Sequence, residues 1–377
     1  MFTGCTHFRS MRQTGMNKCT TALATHSQIK QMTMNDLPGQ RRVPTMKDVA
    51  AEAGVSFKTV SRVMNGVPTV DAGLVVRVHE AVARLGFVPN LAASGLRRAD
   101  KRSHQIGAVL VAEPLSTFLR SLLEPMQDVV MSHGSMLLAP TVTEDSGLEE
   151  YFLQSFVARR VDGIILAPAS EDQAFLSQTV GRVPIVCVDR PAAGVDTDVV
   201  MATNSAGAFE AVHGFIARGH RKIAYIGDAP TFVNTAERFN GYVDALKDAE
   251  ISLEPHWVRQ GIRNSARAER ATHEIFTSDD PPTAVFTSAA HITIGMLRAL
   301  RDLGLRSVVA HIGFNDIPLA DLVEPGVTIV ALDSETMGRK TAELLFDRIE
   351  NFGAPTRRVD VATSLVARGS GEIPPRS

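Results

Sequence analysis

Cysteine is scarce in this 377-residue chain, which has only Cys5, Cys19 and Cys187. Their number is odd and their spacing is not that of a metal site. This argues against a disulfide framework and implies a reducing, cytoplasmic setting. No run of eighteen apolar residues occurs, so nothing is expected to span a membrane. Catalytic signatures are missing too. His79-Glu80 has no second histidine at zinc-binding spacing, no Gly-x-Ser-x-Gly elbow occurs, and the eleven histidines are scattered. No Gly-rich phosphate loop opens a helix, so a nucleotide cofactor is not indicated. The expectation is therefore no catalytic residue, no cofactor and no metal, and a binding protein rather than an enzyme. Acid is also missing from one particular place. Residues 1–43 carry Arg9, Arg12, Lys18, Lys30, Arg41 and Arg42 against Asp36 alone, with no usable apolar period and no continuous hydrophobic stretch of a signal peptide. They are expected to form a disordered extension, either idle or upstream of a true start at Met34 or Met46.

Charge is split along the chain. Residues 1–103 hold fifteen Lys/Arg against six Asp/Glu, a net +9, while residues 104–377 hold twenty-four against thirty-five, a net −11. A basic head on an acidic body suits a polyanion contacted at one end. The length allows two or three domains.

Residues 45–66, TMKDVAAEAGVSFKTVSRVMNG, read as two short helices joined by a tight turn. Thr45 can cap the first, with Asp48 placed to return the bond. Val49, Ala50 and Ala53 form its apolar stripe, and Gly54 falls where a left-handed residue ends a helix. Ser56 can cap the second helix, where Val60, Val63 and Met64 lie on one side and Phe57, Lys58, Ser61 and Arg62 on another. A helix that packs by one face and offers a cation, a hydroxyl and an aromatic on the other suits the major groove of DNA. An ordinary amphipathic helix pair with a wet face is the competing reading. Asp71 can cap a third helix, whose stripe is Val75, Val78, Val82 and Leu85 and which Gly86 ends, so three helices can enclose a small core. Pro89-Asn90 then leads into LAASGLRR, barely two turns long and containing Gly95. Such a helix is marginal without tertiary contacts and would expose Leu96.

From Gln105 the period changes. Candidate strands are 106–111, 135–139, 163–166 and 185–188, then 222–226, 284–286, 308–312 and 328–332. Helical stretches include 205–218, 237–249 and 292–303. This alternation argues for parallel sheets with helices on both faces.

The motifs DVA, AGVS, TVSRV, Asn65-Gly66 and LGFVPN (85–90), leading to Ala93 and Leu96, resemble the lactose-repressor (LacI-type) family of bacterial transcription regulators. The resemblance continues through VDGIILAP (161–168), PIVCVDR (184–190), GHRKIAYIG (219–227), ERFNGYVDAL (237–246) and GFND (313–316), and covers about residues 46–368. It implies an α/β chain with an N-terminal helix-turn-helix DNA-binding domain (44–89), a hinge helix and linker (90–103) and a two-lobed periplasmic-binding-protein-like core (104–377) for effector binding and dimerisation. It further implies a homodimer on a near-palindromic double-stranded operator. The expected DNA contacts are Phe57, Lys58, Thr59, Ser61, Arg62 and Asn65, with Ala93 and Leu96 in the central minor groove. The expected effector contacts are Phe118, Asp189, Arg238 and Asn315, in a cleft near the carboxyl ends of strands. An Arg fork with carboxylate or amide acceptors suits the vicinal hydroxyls of a sugar or sugar derivative. Strand-end Asp and Arg that merely cap helices and pair with each other are the alternative.

The chain departs from the family pattern in three places. Ala289-Ala290 stands where the family often carries Asn-Asp. The loop EPLSTF keeps only Phe118 of the family's Asn-Pro-Phe, and Thr203-Asn204 replaces Asp-Asn. The expected cleft has therefore lost carboxylates, which leaves room for a less polar or anionic ligand. Activators, co-repressor-dependent regulators and small-molecule binding proteins without a regulatory role share parts of this architecture.

Overall fold

Local chemistry sets the first three helices, Met46–Ala53, Phe57–Met64 and Ala72–Leu85. The computed structural model describes residues 43–88, 102–111, 117–142, 147–169 and 173–376. The chain divides into two compact units at Asn90/Leu91. In the first, Thr45 donates both its N–H and its hydroxyl to the Asp48 carboxylate at 2.7 Å. Ser56 accepts from the Thr59 N–H at 3.1 Å, and Asp71 accepts from those of Gly73 and Leu74. Gly54 and Gly86 end their helices in the left-handed conformation, at φ 62° and 61°. Val49, Ala53, Val60, Val63, Val78, Ala81 and Phe87 close one core. Arg77 ties the third helix to the end of the first by donating to the Ala53 carbonyl at 2.6 Å. The expected extension over 1–43 and the expected hinge over 90–103 lie almost wholly outside the described residues.

The second unit contains two sheets. The first holds β1 (Gln105–Val111), β2 (Met136–Leu138), β3 (Thr141–Val142), β4 (Gly163–Leu166), β5 (Ile185–Val188), β6 (Asp198–Ala202) and β12 (Arg358–Val361), in the order β12-β6-β5-β4-β1-β2, with β3 also on β1. The second holds β7 (Ile223–Ile226), β8 (Val258–Arg259), β9 (Ala284–Thr287), β10 (Ala310–Phe314), β11 (Thr328–Leu332) and β13 (Thr363–Val366), in the order β13-β11-β10-β9-β7-β8. Every pairing is parallel except β13 with β11. Alternate residues feed opposite cores, as a sheet covered on both faces requires. Ile106, Ala108 and Leu110 of β1 face one core and Val109 the other. In β7, Ile223 and Tyr225 face one core, Ala224 and Ile226 the other.

The chain crosses between the sheets three times, after β6 at Thr203, after β11 at Asp333 and between β12 and β13 at Ala362. Thr203 and Thr363 bond to each other across the junction, and the Thr363 N–H donates to the Thr203 hydroxyl at 3.0 Å. Helix Ser334–Glu350 returns to the first sheet, where Arg348 grips fully buried Asp198 with two bonds of 2.6 and 2.9 Å. The guanidinium there is further stabilised in its charged form by that carboxylate.

Three expectations needed correction. The strand expected at 308–312 runs two residues later, because Val308 and Val309 close the turn that follows helix Ala290–Asp302, with their N–H groups on the Leu305 carbonyl. The helix expected from Glu237 begins at Val233, so Arg238 sits in its second turn. Strands β3, β6, β8, β12 and β13 went unread. Four of them have two to four residues, and β6 is buried along its whole length with no alternation to show it.

Helices pack so closely that side chains are excluded at the crossings. A methyl group on Gly241, in helix Val233–Asp248, would lie 2.2 Å from the Ser205 carbonyl oxygen of helix Asn204–Ala217. One on Gly295 would meet Ser265 in the same way. Gly241→Val is therefore expected to force these helices apart and cost about 1–3 kcal/mol, read as a fall in the thermal midpoint. Gly353→Ala, with open space around it, should leave the midpoint unchanged.

His311 in β10 is fully buried, and burial pushes it down to about 4, only partly offset by its bond to the Val309 carbonyl. The unfolded imidazole takes up its proton near 6.5, the folded one only near 4, so stability present above pH 6.5 drains away as pH falls towards 4. The loss should be on the order of 3 kcal/mol, and urea titrations of His311→Gln should show a shallower fall over that window.

Candidate functional site

Two surfaces gather the residues singled out in the sequence. On helix Phe57–Met64, Val60 and Val63 are buried while Phe57, Lys58 and Arg62 are exposed, with Asn65 exposed just beyond. Phe57 keeps 41 % of its surface in solvent, unusual for a phenylalanine beside a small core. Ser61 and Thr59 are half-buried; Ser61 accepts from the Asn65 amide at 3.4 Å and Thr59 shares a bond of 2.9 Å with Ser56. Arg62 donates to the Thr69 hydroxyl at 2.6 Å. The sorting comes directly from helix geometry, with apolar positions three apart turned inward and the rest outward. Ala93 and Leu96 lie outside the described residues.

The second surface lies where the two lobes of the core meet. β5 and β10 occupy matching places in their sheets, and each ends in a residue with a left-handed backbone, Asp189 at φ 69° and Asn315 at φ 71°. Aspartate and asparagine tolerate that conformation better than other side chains. In each case the backbone N–H continues the ladder, Asp189 to Val200 and Asn315 to Val330.

Arg238 is buried to 4 % exposure at this junction. Its Nε donates to Asn204 Oδ1 at 2.9 Å and its Nη1 to the Ser288 carbonyl at 2.7 Å. Its Nη2 lies 3.8 Å from Asp189 Oδ1, and the guanidinium sits 4.0 Å over the ring of Phe314. Asp189 accepts from Asn234 at 2.9 Å and lies 4.0 Å from Arg190 Nε. Arg190, also buried, rests its guanidinium 4.0 Å over Phe232. Glu237 accepts from Asn204 and pairs with Arg358 of β12 at 2.9 Å. Further along the second lobe, buried Asp228 lies 3.8 Å from Arg263 and 4.0 Å from His291.

Asp189 and Arg238 thus stand together, while Phe118 and Asn315 line a different space. That cavity, about 620 Å³, is bounded by Phe118, Glu124, Asp128, Asn315, Asp333 and Arg339 among others. Asn315 Oδ1 is buried there without a hydrogen-bond partner. The link between the two places is Phe314, under Arg238 and next to Asn315 in the chain. Asp316 is held by two bonds of 2.8 Å from Arg368, a structural pairing.

Arg238 already uses two of its donor edges inside the protein, so it is less available to a ligand than its five donors suggest. Asn204 entered the sequence reading only as part of the Thr203-Asn204 departure, and Phe232, Asn234, Asp228 and Arg263 were not singled out there. Of those four, Asn234 left a signal, standing four residues before Arg238 on one helix face. The others are brought in by tertiary contacts. Burial pushes the Cys187 thiol up to about 11, which leaves it inert. Among the described residues no helix is long and apolar enough to cross a membrane.

A three-helix head with one exposed polar helix face, joined to two largely parallel sheets with a polar junction, is the architecture of a DNA-binding regulator. The chain belongs to the lacI family of bacterial regulatory proteins, whose sequence pattern matches residues 45–90. The pattern of a periplasmic binding protein-like domain matches residues 212–371. The structure of the transcriptional regulator CelR in complex with cellobiose is 30 % identical, with a TM-score of 0.65, over 87 % of this chain and all of that one. The ribose operon repressor of Haemophilus influenzae is 28 % identical over 329 residues, 86 % of this chain and 98 % of the repressor. The repressor PurR of Mannheimia succiniciproducens is 26 % identical over 331 residues, 86 % and 98 % of the two chains. The lac repressor dimer bound to operator and the anti-inducer ONPF shares the fold, at 22 % identity and a TM-score of 0.76 over 88 % of this chain and 99 % of that one. The protein is a DNA-binding transcription regulator with a helix-turn-helix head.

Proposed function

We propose that the protein is a cytoplasmic repressor that acts as a homodimer and works by binding, not by catalysis. Each head (44–89) would place helix Phe57–Met64 in the major groove of one half-site of a near-palindromic operator, with Phe57, Lys58, Thr59, Ser61, Arg62 and Asn65 towards the DNA. The segment 90–103 would pair with its counterpart in the central minor groove, where Ala93 and Leu96 contact the bases and Leu96 opens a step. The core, 104–377, would bind a sugar or sugar derivative through Asp189, Arg238, Asn315 and Phe118. Its differential affinity for two lobe arrangements would shift operator affinity.

The observation that carries this reading is the sorted second helix: apolar residues close the head's core while a cation pair and an aromatic ring stay in water. Repressors of a ribose operon and a regulator in complex with cellobiose among the relatives support a carbohydrate-related effector. Genomic footprinting with the purified protein tests the reading as a whole; protection of two-fold-symmetric sites is expected, and uniform low-affinity coverage would sink it.

Two substitutions test its parts. Arg62→Ala should lose about 1–3 kcal/mol on the best operator and flatten the preference among related sites, the loss expected of a guanine contact. An equal loss on every duplex in a binding assay would make Arg62 a phosphate contact. Arg238→Ala should still bind operator but lose its response to the effector, since truncating one partner of a buried charged bond costs about 2–5 kcal/mol. An effector that stabilises parent and variant equally, and still releases DNA, would place the site elsewhere.

A further inference from the structure

Helices Ser265–Phe276 and Ala290–Asp302 lie side by side on one face of the second sheet. Ala268, Ile275 and Phe276 of the first close a core there with Ile292, Met296 and Leu300 of the second. Each follows one parallel strand and precedes the next, so the two run in the same direction. Their carboxyl ends come out together at the amino ends of the strands, away from Arg238.

Three side chains meet at those ends. Glu269 and His273 stand four residues apart on one face of the first helix, and Asp302 is the last residue of the second. One imidazole nitrogen and two carboxylate oxygens, one atom from each residue, all lie within 4.8 Å of one another. Glu269 and His273 are half-buried, yet neither side chain makes a hydrogen bond or an ion pair with any described residue. Their donor atoms are therefore open to a ligand. Asp302 gives Oδ1 to Arg301, at 2.8 and 2.9 Å from two guanidinium nitrogens, which orients the carboxyl and leaves Oδ2. Arg301 is the opposing charge, and 65 % of its side chain stays in water, where its repulsion is screened. The backbone favours a cation at the same place. His273 is in the last turn of its helix and Asp302 ends the other, where unsatisfied carbonyls carry partial negative charge.

We infer that Glu269, His273 and Asp302 form a site for a divalent transition-metal ion of the zinc class, which ties the ends of the two helices together. An imidazole nitrogen beside two carboxylate oxygens suits Zn2+ better than Ca2+ or Mg2+, whose usual ligands are oxygen alone. Three protein ligands leave the fourth tetrahedral position to water. Bonds of about 2.0–2.2 Å set neighbouring ligand atoms about 3.4 Å apart, so the trio has to close by about 1.4 Å at its widest. Side-chain rotations of half-buried Glu269 and exposed Asp302 supply that. The spacing in the sequence predicts no metal, because the third ligand stands on a different helix. Asp302 lies about 16 Å along the helix axis from His291, so the site is separate from the lobe junction.

The experiment titrates EDTA-stripped, full-length protein with Zn2+, and with Ca2+ and Mg2+ as oxygen-preferring controls. It reads the thermal midpoint and competition with a zinc-chelating dye. Zn2+ should raise the midpoint saturably, by about 5 °C at a hundred times its Kd, and the controls should not. His273→Ala and Glu269→Gln should each weaken Zn2+ at least tenfold. His256→Ala, which removes an exposed histidine beside Glu254, should not. In EDTA the parent and all variants should share one midpoint, since Glu269 and His273 have no partner to lose. Co2+ in place of Zn2+ should give the visible spectrum of nitrogen and oxygen ligands, without the thiolate charge-transfer band that a site on Cys5 and Cys19 would show. A flat response to Zn2+, equal affinity in parent and His273→Ala, equal stabilisation by Ca2+, or a thiolate band would each overturn the inference. None of these readouts involves operator or effector, so the regulator reading stands or falls separately.

Discussion

The lobe junction depends on the burial of one guanidinium. Taking a guanidinium out of water costs several kcal/mol unless partners replace the hydration. The partners come from everywhere at once: Asn204 at the start of one helix, the Ser288 carbonyl before another, Asp189 at the end of β5 and the face of Phe314. Those residues belong to both lobes and to widely separated parts of the chain. A shift of one lobe against the other would therefore change what surrounds Arg238, and a ligand that replaced one partner, as proposed above, would change which arrangement is favoured.

The three chain crossings make such coupling possible. Thr203, Asp333 and Ala362 lie side by side at the passage between sheets, and the threonine pair Thr203–Thr363 pins two of them. Asp333 caps helix Ser334–Glu350 by accepting from the Thr336 N–H, and the Thr336 hydroxyl, followed by that N–H, holds its carboxyl below the ordinary carboxylate range. That helix then anchors to the first sheet through the buried Arg348–Asp198 pair. The lobes are internally stiff, with both faces of each sheet covered and helices in contact through Gly241, Gly295 and Gly338.

Charge is sorted at three scales. The head is basic and the body acidic, which confines attraction for a polyanion to one end. Within the head, the second helix turns its cations outward. Within the core, Arg190 and Arg238 lie against Asp189 at the junction, while the cavity next to Asn315 is lined by Glu124, Asp128, Asp333 and Glu335 against Arg339. Each level uses the same residues differently. An arginine on the head is a surface charge, whereas one at the lobe junction is a buried group whose environment must be built around it.

The head was legible almost residue by residue. Its caps, its left-handed glycines and its apolar stripe depend on neighbours within four positions, so Thr45, Gly54, Ser56, Asp71 and Gly86 all act where local rules put them. The alternation of strands and helices in the core was legible for the same reason, as were Asp189 and Asn315 at strand ends. What the sequence could not show was register and company. β6 carries no alternation, and β12 and β13 are short strands that pair with residues some 35 to 160 positions away. The split of the four expected ligand residues into an Asp189–Arg238 pair and a Phe118–Asn315 cavity, and the arrival of Asn204, Phe232, Asn234 and Arg263, depend on how two lobes meet. Contacts of that kind carry no periodicity, because their partners are set by the packing of whole sheets and helices, which only the tertiary structure decides.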